Sequence, residues 1–323
     1  MNNTALILES LHVLVAENVI GEKQYTSRYK GFIGELAFSE WLNNKPHERK
    51  IYSGGYFVPV ENGNSSLENP IYFTVTRLNP DEYIPIYTAI SKIGCNRLYF
   101  IQWLDETSIN NWQLEDVMGT NVQLPKPQLI TYLFDSSSNS FQQVSLQNML
   151  SLYTDRPRRK TKYLIPNTLK ADFIKKLSEF DVNYLLDLYV QRLIFDGYIG
   201  FGKVHGIASD IDLIIQAKNK TDLVFLEIKE KDLSKTPPVG FGMDVARIVA
   251  LESISLKTGV DFHYVVREIN NQKNREFVNW RYIEIKKFKE MLGSSIFQGG
   301  SGMGFENGEY PTQICPQEHF LIM

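Results

Sequence analysis

Cysteine is nearly absent from this sequence, whose 323 residues include only Cys95 and Cys315. Two cysteines so far apart do not form a disulfide framework, and no Cys-x-x-Cys pair or Cys/His cluster indicates a zinc site. Scarce cysteine fits a reducing compartment. We therefore expect a cytoplasmic protein that depends on neither disulfides nor zinc.

Long apolar runs are missing as well. No uncharged stretch approaches the roughly 20 apolar residues that a membrane-spanning helix needs. Residues 1–19 lack the basic start of a signal peptide, and Glu9 and Glu17 interrupt them, so they predict an amphipathic helix instead. We expect no membrane among the partners.

A strong net charge is also lacking. The formal charge of −3 argues against a protein that is basic over its whole surface. The charge is nevertheless uneven, because residues 1–150 hold 10 basic and 15 acidic side chains, whereas residues 151–323 hold 24 and 22. The second half is therefore the better candidate for contacting phosphate.

The length and the 43% hydrophobic content suffice for two cores, which favours two domains. The sharpest change in composition is the basic run at residues 156–162. We place the boundaries around it: an N-terminal α/β domain at 1–150, a basic linker at 151–166, a second domain at 167–292 and a glycine-rich C-terminal tail at 293–323.

The basic linker has two interpretations. One is a strip that follows a nucleic-acid backbone through Arg158, Arg159 and Lys160. The other is a linker whose charges are simply solvated. Both interpretations stay open at the level of sequence.

Apolar periodicity predicts alternating helices and strands in both halves. In the first half we expect helices at 31–42 and 83–93, strands at 51–60, 71–75 and 97–103, and a turn at 135–141. In the second half we expect helices at 167–180, 183–196 and 243–257 and strands at 207–215, 223–228, 261–266 and 281–285. Gly197 and Gly259 are expected to end two of these helices, and residues 237–242 to form a rigid loop. This order predicts an α/β fold with a mixed sheet flanked by helices.

Three ionisable side chains interrupt two apolar strands of the second half: Asp212 on the first, and Glu227 and Lys229 on the next. Fourteen residues separate Asp212 from Glu227, which suits a pair of strands that places the two carboxylates side by side. Glu227 and Lys229 are two residues apart and so share one strand face. We expect the three groups to converge at one edge of a sheet.

Two facing carboxylates repel each other, and a divalent cation removes the conflict. Mg²⁺ takes oxygen ligands, so Asp212 and Glu227 are candidate ligands, with the carbonyl of Ile228 as a further one. Lys229 would orient or deprotonate the attacking water and stabilise charge on a phosphate. Asp210 lies two residues from Asp212 on the same strand face and remains a rival first ligand.

The pattern SDID followed by LEIK resembles the PD-(D/E)xK nuclease superfamily, over about residues 183–266. The resemblance implies a restriction-endonuclease-like C-terminal domain in which Asp212, Glu227 and Lys229 are catalytic. It also implies a preceding helix with a further acid, for which Asp187 is the candidate. Two features depart from the family pattern: no proline precedes the first acid, and the helix acid is aspartate where glutamate is commoner.

The resemblance leads us to expect a Mg²⁺-dependent endonuclease of the restriction or defence type, with Mn²⁺ as a substitute ion. Its expected partners are DNA and either a second copy of the chain or other defence subunits. The alternative is a non-catalytic, nuclease-like DNA-binding or assembly subunit. If the site is real, Lys231, Lys235 and Arg247 contact phosphate; otherwise they are solvated surface charges.

The first half repeats the predicted order helix, strand, strand, helix, strand. Aligning IYFTVT with LVFLEIK places Thr74 at Glu227 and Thr76 at Lys229. One hypothesis is that the N-terminal domain is a degenerate, nuclease-like copy that has lost its metal-binding acids and serves in pairing or recognition. The alternative is an unrelated α/β domain with a common order of elements.

Overall fold

The computed structural model describes residues 3–45, 49–60, 67–153, 163–200, 208–217, 222–235, 237–298 and 311–323. Its α-helices are α1 (Asn3–Glu17), α2 (Glu22–Asn43), α3 (Ile84–Ser91), α4 (Leu146–Leu150), α5 (Asn167–Leu177), α6 (Val182–Arg192), α7 (Val245–Thr258) and α8 (Ile285–Glu290). Its strands are β1 (Arg49–Val58), β2 (Ile71–Thr76), β3 (Arg97–Leu104), β4 (Gln113–Glu115), β5 (Leu124–Lys126), β6 (Gln128–Asp135), β7 (Ser140–Val144), β8 (Ser209–Ala217), β9 (Leu223–Lys231), β10 (Gly240–Asp244), β11 (Asp261–Ile269), β12 (Phe277–Glu284), β13 (Phe297–Gln298), β14 (Pro311–Pro316) and β15 (Leu321–Ile322). None of the helices described here has the length and apolarity that crossing a bilayer requires.

The largest sheet in the described part of the chain has ten strands, in the order β15-β12-β11-β9-β8-β1-β2-β3-β6-β7. The pairs β2–β3 and β9–β11 are parallel, and their neighbours on either side pair antiparallel. Each parallel pair is joined by a crossover that contains a helix, α3 or α7, as parallel strands require. The expected α/β fold with a large mixed sheet flanked by helices is thus confirmed.

The chain divides into two compact units, each built from two separate stretches. The first comprises Met1–Tyr29 and Gly55–Asp210, and the second comprises Lys30–Gly54 and Ile211–Met323. This division differs from the single cut that the composition predicts around residues 151–166. Part of α2 and part of β1 belong with the C-terminal strands, although they lie far from them in sequence.

Helices cover both faces of the strands in the second unit. On one face, side chains of α2 pack against β9, β11 and β12 through Phe38, Leu42, Leu226, Ile228, Val265 and Trp280. Alternate residues of β9 point to the opposite face, because successive side chains of a strand alternate. On that face, Tyr264 of β11 packs against Phe288 of α8, with ring centroids 5.5 Å apart. Charged residues of β9 that face away from α2 therefore lie on the side of α7 and α8.

The first unit has the same layered arrangement with aromatic residues on both faces. A π-helix, Leu193–Ile199, continues α6, and its Phe195 stacks on Tyr56 of β1 at 4.6 Å between ring centroids. On the other face, Tyr87 of α3 packs against Tyr72 of β2 at 5.5 Å. Stacked and edge-on rings of this kind stabilise beyond the area they bury.

The two predicted helix ends have different outcomes. Gly259 ends α7 with a left-handed φ of 72°, as the sequence predicts. Gly197 was expected to end the helix at 183–196, but the π-helix carries the chain past it to Ile199. A Cβ on Gly197 would lie 2.9 Å from Val117 Cγ2, so close packing explains this glycine instead.

The sequence predicts a loop at residues 237–242. Instead, Gly240–Asp244 forms β10, which pairs antiparallel with β14. A Cβ on Gly240 would overlap the carbonyl of Cys315, so the glycine permits this close approach of two strands. The described parts of the predicted C-terminal tail therefore contribute β13, β14 and β15 to sheets of the second unit.

Candidate metal centre

Asp212 and Glu227 lie on the antiparallel strands β8 and β9. The paired residues run from Leu213↔Leu226 to Gln216↔Leu223. Both acids are therefore the next residues beyond the Leu213↔Leu226 pair. At that point the N–H of Ile228 donates to Asp212 Oδ2 at 2.6 Å. The side chains of Asp212 and Glu227 are only 2% and 1% exposed, so both carboxylates lie below the surface.

Two cations hold the Glu227 carboxylate. Lys229 Nζ lies 2.8 Å from Glu227 Oε1 and 3.7 Å from Asp212 Oδ2, which places it beside both acids. From α7, Arg247 Nε donates to Glu227 Oε1 at 3.1 Å, and its Nη2 donates to Oε2. Burying a carboxylate costs free energy unless it is paired and hydrogen-bonded. The predicted convergence of Asp212, Glu227 and Lys229 is present in the structure, with Arg247 added to it.

The alternation of β9 puts Glu227, Lys229 and Lys231 on one face. Burial lowers the pKa of Lys231. Tyr264 of β11 is the register partner of Glu227, and its hydroxyl donates to the carbonyl of Gly242 at 3.3 Å. Burial raises the pKa of Tyr264, so this hydroxyl stays protonated near neutral pH.

Asp210, Asp212 and Glu227 can each offer one carboxylate oxygen, and these three atoms lie within 4.8 Å of one another. Asp210 and Asp212 are two residues apart on β8, so they share a strand face. The structure thus brings the two rival first acids together. A set of three carboxylate oxygens suits a hard divalent cation, a class that includes Mg²⁺, Mn²⁺ and Ca²⁺.

The other predicted ligand and phosphate-binding residues lie in several places. The side chain of Ile228 packs in the core against α2, while its N–H donates to Asp212. Lys235 is exposed beyond the end of β9. The linker residues Arg158, Arg159 and Lys160 lie outside the described residues.

Asp187, the expected helix acid, belongs to the first unit and is bound by an arginine. Its carboxylate accepts hydrogen bonds from Arg77 Nε at 3.1 Å and from Arg77 Nη2 at 2.7 Å. Burial raises the pKa of Asp187, and the pairing with Arg77 opposes that shift. In the second unit, α2 packs on β9 through Phe38 and Leu42. The ion pair with Arg77 accounts for Asp187 without a metal.

The sequence leaves Arg247 as either a phosphate contact or a solvated surface charge, whereas the structure pairs it with Glu227. α7 begins at Val245 after its N-cap Asp244, so Arg247 lies in the first turn. A cation in the first turn of a helix interacts unfavourably with the helix macrodipole. This position is therefore a sequence signal that an acidic side chain pairs with Arg247. The identity of that acid depends on how the crossover brings α7 onto β9, which no local pattern encodes.

Comparison of the chain with protein-family models, with curated proteins and with solved structures finds no match.

Proposed function

We propose that the chain is a metal-dependent endonuclease of the PD-(D/E)xK type that hydrolyses phosphodiester bonds in DNA. The observation that carries the proposal is the pair of buried acids, Asp212 and Glu227, with the ammonium of Lys229 2.8 Å from one and 3.7 Å from the other. Two carboxylates can hold a divalent cation, and a lysine beside them can stabilise charge on the attacked phosphate. These are the groups that metal-assisted hydrolysis requires.

Asp212, Glu227 and Asp210 would hold the cation. Mg²⁺ fits this site because it prefers carboxylate oxygens, and the carbonyl of Ile228 would be a further oxygen ligand. When bound, such an ion activates a water molecule and neutralises charge on the phosphate. We expect Mn²⁺ to substitute, since it accepts the same oxygen ligands.

Lys229 and Arg247 would have different roles at this centre. The Lys229 side chain is 38% exposed while the acids beside it are buried, so its ammonium is accessible to a phosphate. It would orient the attacking water and stabilise the charge that develops on the phosphoryl oxygens. Arg247 fixes the orientation of the Glu227 carboxylate with two hydrogen bonds, a geometry that a planar guanidinium provides.

Nucleic acid is the substrate class that the surrounding charge favours. The Lys229 side chain is 38% exposed beside the acids, and Lys235 is exposed beyond the end of β9. Exposed cations near such a centre favour the phosphates of a nucleic-acid backbone. We propose DNA rather than RNA, and a restriction or defence role in the cytoplasm, as a homodimer or beside other subunits.

Plasmid cleavage with and without divalent ions tests the proposed activity. Supercoiled plasmid and labelled duplex oligonucleotides are incubated with the chain in Mg²⁺, in Mn²⁺ or in excess EDTA. We expect cleavage with either ion and none in EDTA, because the two acids repel a phosphate unless a cation lies between them. Undiminished cleavage in EDTA, or no cleavage with any divalent ion, would contradict the proposal.

Asp212→Asn should lower this activity more than Asp210→Asn does. The Asp212 carboxylate is 2% exposed and oriented by the N–H of Ile228, so its loss removes a fixed and charged ligand. Asp210 is only half-buried. We expect losses of about a hundredfold for Asp212→Asn and about tenfold for Asp210→Asn. The measurement is kcat/KM on a duplex at saturating Mg²⁺, and a larger loss at Asp210 would reverse the assignment.

A second candidate function is a DNA-binding subunit without catalysis. The observation that favours it is that Lys229 and Arg247 already pair with Glu227, so this carboxylate is neutralised by the chain itself. Such a subunit would shift a labelled duplex in a gel to the same extent in EDTA and in Mg²⁺. It would cleave nothing in either condition, which separates it from the endonuclease.

A further inference from the structure

The strands of the two units follow the same order with the same directions. In the second unit, β8 is antiparallel to β9, β9 is parallel to β11 through α7, and β11 is antiparallel to β12. In the first unit, the paired part of β1 is antiparallel to β2, β2 is parallel to β3 through α3, and β3 is antiparallel to β6. Crossover units are common, but the antiparallel strand on each side extends the match beyond one such unit.

The parallel registers show which residues of β2 and β9 correspond. Thr74 faces Phe100, which is the fourth residue of β3. Glu227 faces Tyr264, which is the fourth residue of β11. Thr74 therefore takes the position of Glu227, which agrees with the alignment made from sequence.

The antiparallel registers extend this correspondence to the first acid. In the second unit, Leu226, the residue before Glu227, pairs with Leu213. In the first unit, Phe73, the residue before Thr74, pairs with Tyr56. Gly55 therefore stands where Asp212 stands in the second unit.

A tyrosine fills the space around these positions in the first unit. A Cβ on Gly55 would lie 2.6 Å from the hydroxyl oxygen of Tyr72, so no acidic side chain fits there. Thr74 Oγ1 donates to the same hydroxyl at 3.2 Å, and Thr74 and Tyr72 are both fully buried. Thr76, in the place of Lys229, is 5% exposed. At the corresponding positions of the described chain, neutral groups replace both acids and the lysine.

The crossover helices also make corresponding contacts with different chemistry. The hydroxyl of Tyr87 on α3 accepts the N–H of Thr74 at 3.2 Å and donates to the carbonyl of Tyr99 at 2.5 Å. Arg247 on α7 instead pairs with the carboxylate of Glu227. Burial raises the pKa of Tyr87, so its hydroxyl stays neutral. In the first unit, a neutral tyrosine hydroxyl on the crossover helix therefore forms hydrogen bonds with the strand backbone. In the second unit, charged side chains lie at the corresponding place.

We infer that the first unit is a repeat of the second in which the described residues at the positions of both acids and the lysine are neutral, and that each chain therefore cuts one strand of a duplex per binding event. This inference rests on the proposed function of Asp212, Glu227 and Lys229. Each hydrolysis forms one bond from phosphorus to the oxygen of water and breaks one bond from phosphorus to a sugar oxygen, which takes a proton. A double-strand break consequently needs two separate cleavage events.

A mixing experiment tests this inference. Wild-type chain is mixed with Glu227→Gln chain at constant total protein, and the supercoiled, open-circular and linear forms of a plasmid are quantified in Mg²⁺. With one centre per chain, open circles form first and their rate falls in proportion to the active fraction. Any linear product falls with the square of that fraction at early times, because it needs two separate cleavage events by active chains.

Thr74→Val is the matched variant at the corresponding position of the first unit. Valine has nearly the shape of threonine but lacks its hydroxyl, so a melting curve shows whether the loss of the hydrogen bond to Tyr72 leaves the chain folded. We expect both cleavage rates to stay within about twofold of the wild type, because a substitution away from the reacting groups leaves the barrier unchanged.

Two results from an active enzyme would overturn the inference. One is a ratio of linear to open-circular DNA that does not change on mixing, which means that one chain cuts both strands. The other is cleavage of one strand that persists in Glu227→Gln and disappears in Thr74→Val. An inactive wild-type chain would instead remove the proposed function, and the inference with it.

Discussion

Glu227→Gln should lower Mg²⁺-dependent cleavage by about a thousandfold while the chain stays folded. Glutamine keeps the shape of glutamate but carries no charge, so the proposed cation site would lose an anionic ligand. Lys229 and Arg247 also lose the carboxylate that pairs with both of them, and their positions at the site change. The measurement is the single-turnover rate on a labelled duplex at saturating Mg²⁺, beside a melting curve of the same preparation.

Glu230→Gln is the matched control on the same strand. The Glu230 side chain is 4% exposed and lies 2.7 Å from Arg267 Nη1 and 2.5 Å from Arg275 Nη2, so it is a buried acid paired with two arginines. It is an odd number of residues from Glu227 and therefore faces the other side of β9. We expect a loss of stability of about 1–3 kcal/mol with little loss of cleavage. Equal losses of cleavage in the two variants would mean that Glu227 acts through stability alone.

The site could be predicted from sequence where its determinants are local. Asp212, Glu227 and Lys229 lie within one pair of adjacent strands, so strand alternation and the short separation suffice to bring them together. Arg247 could be named as a candidate but not paired with its acid, because its position depends on the crossover through α7. Asp187 precedes Asp212 in sequence, yet its partner Arg77 lies 110 residues away and no local pattern indicates it.

The same distinction applies to the fold. Helices and strands with clear apolar periodicity, such as α7 and β9, were predicted close to their observed bounds. β10 was missed because its pairing with β14 involves residues about 70 positions away and strand residues that include glycine and proline. The place of α2 was missed because Phe38 and Leu42 pack on strands that come much later in the chain. Helical periodicity shows that a helix has an apolar face, but not what covers it.

Gly54→Ala should lower the free energy of unfolding by about 3 kcal/mol or more. Gly54 lies on β1 within the second unit, next to the start of β8, the strand that carries Asp210 and Asp212. A Cβ at this position would overlap the carbonyl oxygen of Ile211 and lie 3.1 Å from the carbonyl carbon of Asp212. Backbone atoms cannot rotate away as a flexible side chain can, so the strands must separate. Chemical unfolding with urea gives the change in stability, and plasmid cleavage gives the effect on the site.

Gly31→Ala separates this clash from the general effect of replacing a glycine. Gly31 lies within α2, and the nearest atom to an added Cβ is Glu35 Oε1 at 3.8 Å, which is ordinary contact. Alanine favours a helix over glycine, so this variant should gain about 0.5–1 kcal/mol. The opposite signs matter because Gly54→Ala also displaces Asp212, and a ligand displaced by a fraction of an ångström loses much of its catalytic value. A Gly54→Ala variant as stable and as active as the wild type would contradict the close approach of β1 to β8. It would also show that this glycine does not help to position Asp212.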